Sequence, residues 1–148
     1  MKDDLKLSGE VTLVLKDSNG NVKQTKTIKN LVVNAGLNFI TSRMQNASKG
    51  IMSHMGLGSG TVAAAAGDTD LGSLLGSREA IDTDLVSGNT VTYVCTFEAG
   101  DATGAVTEAG IFNAVSGGDM LCRTVFAVVN KAADDTMSVT WTITLTAS

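Results

Sequence analysis

The residues from Met137 to Ser148 alternate with few exceptions: Met137, Val139, Trp141, Ile143 and Leu145 fall on one register, Ser138, Thr140, Thr142 and Thr144 on the other. Successive strand side chains face opposite sides of a sheet, so this segment predicts a half-buried β-strand with an apolar inner face and a hydroxyl outer face. Leu5 to Lys16 reads the same way, with Leu5, Leu7, Val11, Leu13 and Leu15 set against Lys6, Ser8, Glu10, Thr12 and Lys16. It ends at Asp17-Ser-Asn-Gly-Asn21, where Asn19-Gly20 suits a hairpin turn needing positive φ, so Val22 to Lys29 is expected to return antiparallel as a polar edge strand.

Alternation breaks at Asn34 to Met44. Leu37, Ile40 and Met44 stand at helical spacing and Asn34 is placed to cap, which predicts one short amphipathic helix around 34–46. A polar loop at 45–50 and a strand at Ile51 to Leu57 follow. From 56 to 80 small residues dominate and no period survives, so a long loop is expected there; loops of that length are commonly functional or ordered by a partner. Strands resume at Ile81 to Val86, Thr90 to Ala99, Val106 to Ala114, Met120 to Asn130 and Met137 to Ala147, and their short links describe consecutive antiparallel neighbours. The expected fold is all-β: an antiparallel β-sandwich or jelly roll of about eight strands with one short α-helix, a single domain over 1–148 with a small-residue loop at 56–80.

Composition narrows the function classes. Charged residues make up 18% of the 148, below the ~25% usual for soluble proteins, and the net charge is −4. Eleven scattered basic residues give neither nucleic acid nor an anionic membrane the clustered Lys and Arg they require. No stretch approaches the ~20 apolar residues that span a bilayer, and Met-Lys-Asp-Asp-Leu-Lys-Leu offers no signal-peptide core, so synthesis in a cytoplasm is expected. Cys95 and Cys122 lie inside strand-like runs and read as buried free thiols; a disulfide would need their strands to be neighbours.

The search for chemistry returns little. His54 is the sole histidine, and with no convergent partner it reads as structural. One His and two Cys without metal-site spacing make no zinc centre. Gly56-Leu-Gly-Ser-Gly60 lacks the helix and the Gly-Lys-Ser/Thr ending of phosphate loops and reads as turn glycines. Asp17-Ser-Asn-Gly-Asn21 spaces oxygens as calcium loops do, but it sits where a hairpin is needed; Asp68/Asp70, Asp82/Asp84 and Asp134/Asp135 are similar cases. Glu98 and Glu108 would pair as glycosidase carboxylates only if their strands were adjacent. One Trp, one Tyr and four Phe are a thin supply for a sugar site, and Glu108 is expected to be a structural carboxylate accepting local hydrogen bonds. No catalytic residue, metal or cofactor is expected.

Met55-Gly-Leu-Gly-Ser-Gly-Thr61, Asp68-Thr-Asp-Leu71, Thr107-Glu-Ala-Gly-Ile-Phe-Asn113 and Met120-Leu-Cys-Arg-Thr-Val-Phe126 together resemble segments of small virion structural proteins of tailed bacteriophages. Gly9-Glu-Val-Thr-Leu-Val-Leu-Lys-Asp17 and Asn30-Leu-Val-Val-Asn-Ala-Gly36 are similar too, and Glu-Ala-Gly-Ile-Phe strings also resemble parts of tail-fibre proteins. The resemblance implies an all-β, non-enzymatic protein that binds other virion subunits, most like a capsid decoration (cement) protein made in the host cytoplasm and carried on the capsid surface. Expected partners are the major capsid protein and copies of itself, as dimer or trimer, with no nucleic acid and no membrane. The alternative is a tail fibre, tail adaptor or host-surface (glycan) binding module. Leu71, Leu74 and Leu75 in the long loop either form a single helical turn that pins the loop down or pack against a neighbouring subunit. With the loop predicted to order on the capsid or a sister subunit, they are expected contact residues, as are Thr140, Thr142 and Thr144 on the hydroxyl face.

Overall fold

A computed structural model describes residues 4–45 and 49–147. The chain is all-β with one short helix, as the alternation predicts: β1 (Leu5–Lys16), β2 (Val22–Val32), α1 (Asn34–Gln45), β3 (His54–Gly58), β4 (Glu79–Ala80), β5 (Thr83–Ser87), β6 (Thr90–Phe97), β7 (Gly104–Phe112), β8 (Met120–Lys131) and β9 (Thr136–Ala147). The expected loop at 45–50 and the expected helix end at 46 fall partly on 46–48, outside the described residues.

All nine strands belong to one antiparallel sheet, ordered β4-β3-β7-β8-β2-β1-β9-β6-β5, that curls on itself. The bend runs through β2. From Val22 to Asn30 it pairs with β1, with one irregularity between Leu15 and Lys16, and its last two residues, Leu31 and Val32, pair instead with Arg123 and Cys122 of β8. β2 is therefore not an edge strand: it is the hinge line between the two halves, and it runs three residues past the predicted Lys29. At the far rims, Ile81 N donates to Ser53 O at 2.9 Å and Asp82 N to Val94 O at 2.8 Å, so the β4–β5 connection draws the two ends of the sheet together.

Two links expected to join neighbours instead cross between the halves. β6 and β7 are not adjacent, nor are β8 and β9, because β9 inserts between β1 and β6. The registers explain the insertion: Val11, Trp141 and Tyr93 share one row, and Leu13, Val139 and Cys95 another, so apolar side chains stack across three strands. The crossing links tie to each other at one end, through Gly100 N to Ala133 O (2.8 Å) and Lys131 Nζ to Glu98 O (2.9 Å). Met137, Val139, Trp141 and Ile143 are all buried in the main core, and Leu145 packs at its margin, as the alternation required. The Trp141 indole N–H donates to Asn30 Oδ1 at 2.8 Å. Gly9, opposite Asn30 in the ladder, leaves the space that this amide occupies.

The helix buries a different face from the predicted one. Leu37 (43% exposed) and Met44 (84%) face outward, while Gly36 and Phe39 are buried and Ile40 packs against the core. Gly36 sets this face, since any Cβ there would collide with the Leu121 backbone of β8. The absent side chain brings the helix onto the strand. Asn34 is the first helical residue rather than a cap, and its N–H is taken by Ala66 O at 2.8 Å.

Candidate functional site

Four of the segments that carry the virion resemblance meet at one buried point. β7 is buried from Val106 to Phe112 and places the Glu108 carboxylate in the interior with 0% exposure. Oε2 accepts the backbone N–H of Gly60 (2.6 Å) and Ser73 (2.8 Å); Oε1 accepts that of Gly72 (2.8 Å) and Nε of Arg123 (3.1 Å), whose Nη2 is 3.0 Å away. Arg123, buried on β8, also donates from Nη1 to Asp68 Oδ2 (2.8 Å) and from Nη2 to Val62 O (3.0 Å). Asp68 in turn accepts Ala65 N, and that bond, aided by Arg123, holds its carboxyl below the ordinary value. Thr107 Oγ1 donates to Gly60 O at 2.7 Å and closes the ring.

This arrangement fixes the segment between β3 and β4, and the prediction that a capsid or sister subunit orders it is corrected: the chain's own buried ion pair does so. Two further groups pin it. Arg78 lies 3.4 Å over the Phe112 ring and donates to Ala114 O (2.9 Å) and Gly117 O (2.8 Å). Leu71 lies over Gly56 and Gly110, which are cross-strand partners with no side chains to oppose it. Leu74 joins it over Gly56 and remains 43% exposed, while Leu75 packs on the main core. Of the three leucines expected to contact a partner, Leu71 and Leu75 therefore lie on the chain's own sheet.

Gly56, Gly58 and Gly60 are not turn glycines. None has positive φ, and Gly56 and Gly58 lie within β3. A Cβ on Gly58 would come within 2.6 Å of Glu108 Oε2, and one on Gly60 would overlap the same carboxylate, so these two are glycine because backbone must approach a carboxylate, while Gly56 leaves room for Leu71 and Leu74. Chemically, Glu108 is taken up: four hydrogen-bond donors, two on each oxygen, occupy the lone pairs that a base would use. Its bonds are not local, since its backbone partners lie 35 to 48 residues back along the chain.

Several of the other carboxylates, and the single histidine, have structural partners. Glu98 lies beyond the end of β6, whose strand does not neighbour β7, so the two glutamates form no pair. Asp17 accepts the N–H of Asn19 and Asn21, both at 2.9 Å, which makes it the hairpin's own turn residue. Asp70 faces Arg78, Asp82 accepts Thr96 N, and Asp135 pairs with Lys23 at 2.8 Å. His54 Nδ1 shares a hydrogen with Ser53 Oγ at 2.8 Å. Both cysteines are free and buried; burial pushes the Cys95 thiol up to about 12 and raises Cys122 as well. Among the described residues no group of three or more His, Cys, Asp or Glu is placed to hold a metal ion, and no helix is long and apolar enough to cross a membrane.

The outer face of β2, β1, β9 and β6 has a different character. Lys29, Glu10, Thr142 and Thr92 form one row, Thr27, Thr12, Thr140 and Val94 the next, and Ser8, Thr144 and Thr90 a third. Hydroxyls bond sideways within it, Thr12 to Thr27 at 3.1 Å and Thr92 to Thr142 at 3.3 Å. Ser8, Glu10, Lys29, Thr142 and Thr144 border an open hollow of about 410 Å³. The expected hydroxyl stripe of β9 is thus the middle of a four-strand face. A scan of protein-family models, a search of curated proteins and a search of solved structures found no match to this chain.

Proposed function

We propose that this chain is a non-enzymatic structural protein of a bacteriophage virion: a capsid decoration or cement protein, made in the host cytoplasm, that binds major capsid subunits and copies of itself and stiffens the shell. The observation that carries the reading is the hydroxyl face centred on Thr140, Thr142 and Thr144. Neutral Thr and Ser groups meet another subunit at small desolvation cost and still offer donors and acceptors across the contact. The ionic groups of the interior, by contrast, are engaged in holding the fold, which supports contact over chemistry. Of the loop leucines, Leu74 keeps 43% of its surface exposed for a partner, at a separate place on the molecule.

Electron cryomicroscopy of the virion tests the location: density for this chain is expected over joints between capsid subunits, in a copy number matching the shell lattice. Density on the tail alone would overturn the decoration assignment in favour of a fibre or adaptor. Binding to isolated shells tests the face, because Thr140→Lys with Thr142→Lys introduces two charges that must be desolvated on docking. Unchanged shell binding by that variant would reject the hydroxyl face as the contact. The host-glycan alternative has the hollow beside Thr142 and Thr144 as its candidate site, but no aromatic ring borders it for a sugar to stack on.

A further inference from the structure

The two rims of the curled sheet differ. At one, segment 59–78 lies along β3, with Ser59 N bonded to Ser73 O and Leu75 N to Leu57 O, so the chain covers its own edge. At the other, β5 is exposed at every position. Its hairpin to β6 turns on Gly88 and Asn89 and registers Ser87 with Thr90, Leu85 with Thr92 and Thr83 with Val94. A two-residue turn makes these the hydrogen-bonded pairs, so the N–H and C=O groups of Asp84 and Val86 point away from the sheet. Among the described residues none of them is paired. Leu85 (68% exposed) and Val86 (74%) carry apolar side chains on opposite faces of this strand, which has no Lys or Pro to discourage pairing.

We infer that the β5 edge is a two-fold self-association edge, whose occupant is β5 of a second copy. An antiparallel pair centred on Leu85 lets Asp84 and Val86 exchange hydrogen bonds with the partner's Val86 and Asp84, four in all, and sets Leu85 directly against the partner's Leu85. Charge selects this register. Asp84 and Val86 border a groove of about 290 Å³ together with Phe39, Arg43, Ile51 and Val91. Pairing places the partner's Asp84 opposite Val86, in the groove that Arg43 lines, so each copy's carboxylate gains the other's guanidinium. A shift by two residues that set Asp84 against the partner's Asp84 would oppose like charges instead. The covered β3 rim offers no complementary edge, so the contact closes as a dimer and does not propagate. The inference rests on the self-association in the reading above and names its surface.

The test uses the full chain in solution without capsids, so a failure to bind shells leaves it untouched. Sedimentation velocity over a wide concentration range should show a reversible dimer. Leu85→Lys should weaken it by about tenfold or more, because like charges then lie directly opposite across a strand pair. Since Cys95 and Cys122 are buried, Leu85→Cys supplies the accessible thiol; mild oxidation should link it to its symmetry mate, whereas Thr83→Cys, set against the partner's Ser87, should stay unlinked. Asp84→Arg should weaken association, and Arg43→Asp added to it should restore it. A chain monomeric at every concentration, a dimer indifferent to Leu85→Lys, or an oxidised Leu85→Cys protein without crosslink overturns the proposal. If Leu85→Lys fails to fold, the crosslinking pair decides alone.

Discussion

Replacing Glu108 by Gln changes almost no volume and removes one charge, which isolates the role of the carboxylate. In the native chain its oxygens accept four N–H groups, three from backbone of the 59–78 segment and Nε of Arg123, with Arg123 Nη2 in ion-pair contact at 3.0 Å. The amide turns one acceptor into a donor that faces N–H groups, and it leaves Arg123 with Asp68 as its remaining anionic partner. Breaking one member of a buried ion pair costs about 3–5 kcal/mol. The lower end applies, since Asp68 still compensates the guanidinium and the amide oxygen keeps some of the bonds. About 3 kcal/mol is a large part of the roughly 5–15 kcal/mol that holds a domain together, and at about 2–4 °C per kcal/mol it lowers Tm by about 6–12 °C. Thermal unfolding and urea titration read the global loss. Amide hydrogen exchange reads the local one: Gly60, Gly72 and Ser73 should lose protection while β9 amides keep theirs. A loss below about 1 kcal/mol with unchanged protection at those three amides would refute the assignment of Glu108 as the loop's anchor.

The same geometry sets other outcomes. Gly60→Ala drives a Cβ into the Glu108 carboxylate and should cost about 1–3 kcal/mol, whereas Gly67→Ala, with nothing within 4 Å, should be neutral or stabilise by up to about 1 kcal/mol in the same urea titration. Glu108→Gln combined with Arg123→Met should recover part of the single-variant loss, because removing both charges leaves neither unpaired; a double-mutant cycle with no coupling would contradict the pairing. The helix face predicts a contrast in Tm: Phe39→Ala should cost about 3 kcal/mol and Leu37→Ala no more than about 0.5. Asp68 has its pKa lowered from 3.8 in the folded chain, so the stability it contributes is present above the unfolded value and lost as pH falls through the folded one. Asp68→Asn should therefore flatten the acid limb of urea midpoints measured below about pH 5, and an unchanged limb would remove Asp68 from that account.

How far the sequence exposed this fold depends on what each residue contributes. β1 and β9 were legible because a half-buried strand must alternate, and the apolar registers of both lie in or against the core, apart from Leu5 at the open end of β1, 71% exposed. Strand order was not, because insertion of β9 between β1 and β6 is decided by rows such as Val11-Trp141-Tyr93 that no local window contains. The helix face was misjudged because hydropathy counts side chains, and the decisive contact at Gly36 is the lack of one. Glycines 56, 58 and 60 misled in the same way. A signal for the buried node did exist: Glu108 and Arg123 are single opposite charges inside otherwise apolar runs on β7 and β8, two strands joined by the glycine-containing loop 113–119. Two such charges on paired strands, each costly to bury alone, call for one another.

That node also changes what the virion resemblance can mean. The segments that carry it, around Gly58, Asp68, Glu108 and Arg123, converge on the interior, where they lock the long segment onto β3 and β7. Residues that do this work specify a fold, and a fold by itself does not choose a function, whether at a shell, at a tail or elsewhere. The choice must come from surfaces the motif does not build. Two lie on the half of the sheet away from the node: the hydroxyl rows through Thr140 and Thr142, and the unpaired edge at Asp84 and Val86. In the proposed dimer the β5 edge would join two hydroxyl-rich faces side by side, and a doubled contact area gains avidity over a repeating surface that a single copy lacks. A periodic capsid would supply that repeat, so the proposed decoration role leans on the free edge and the hydroxyl face and not on the sequence motif.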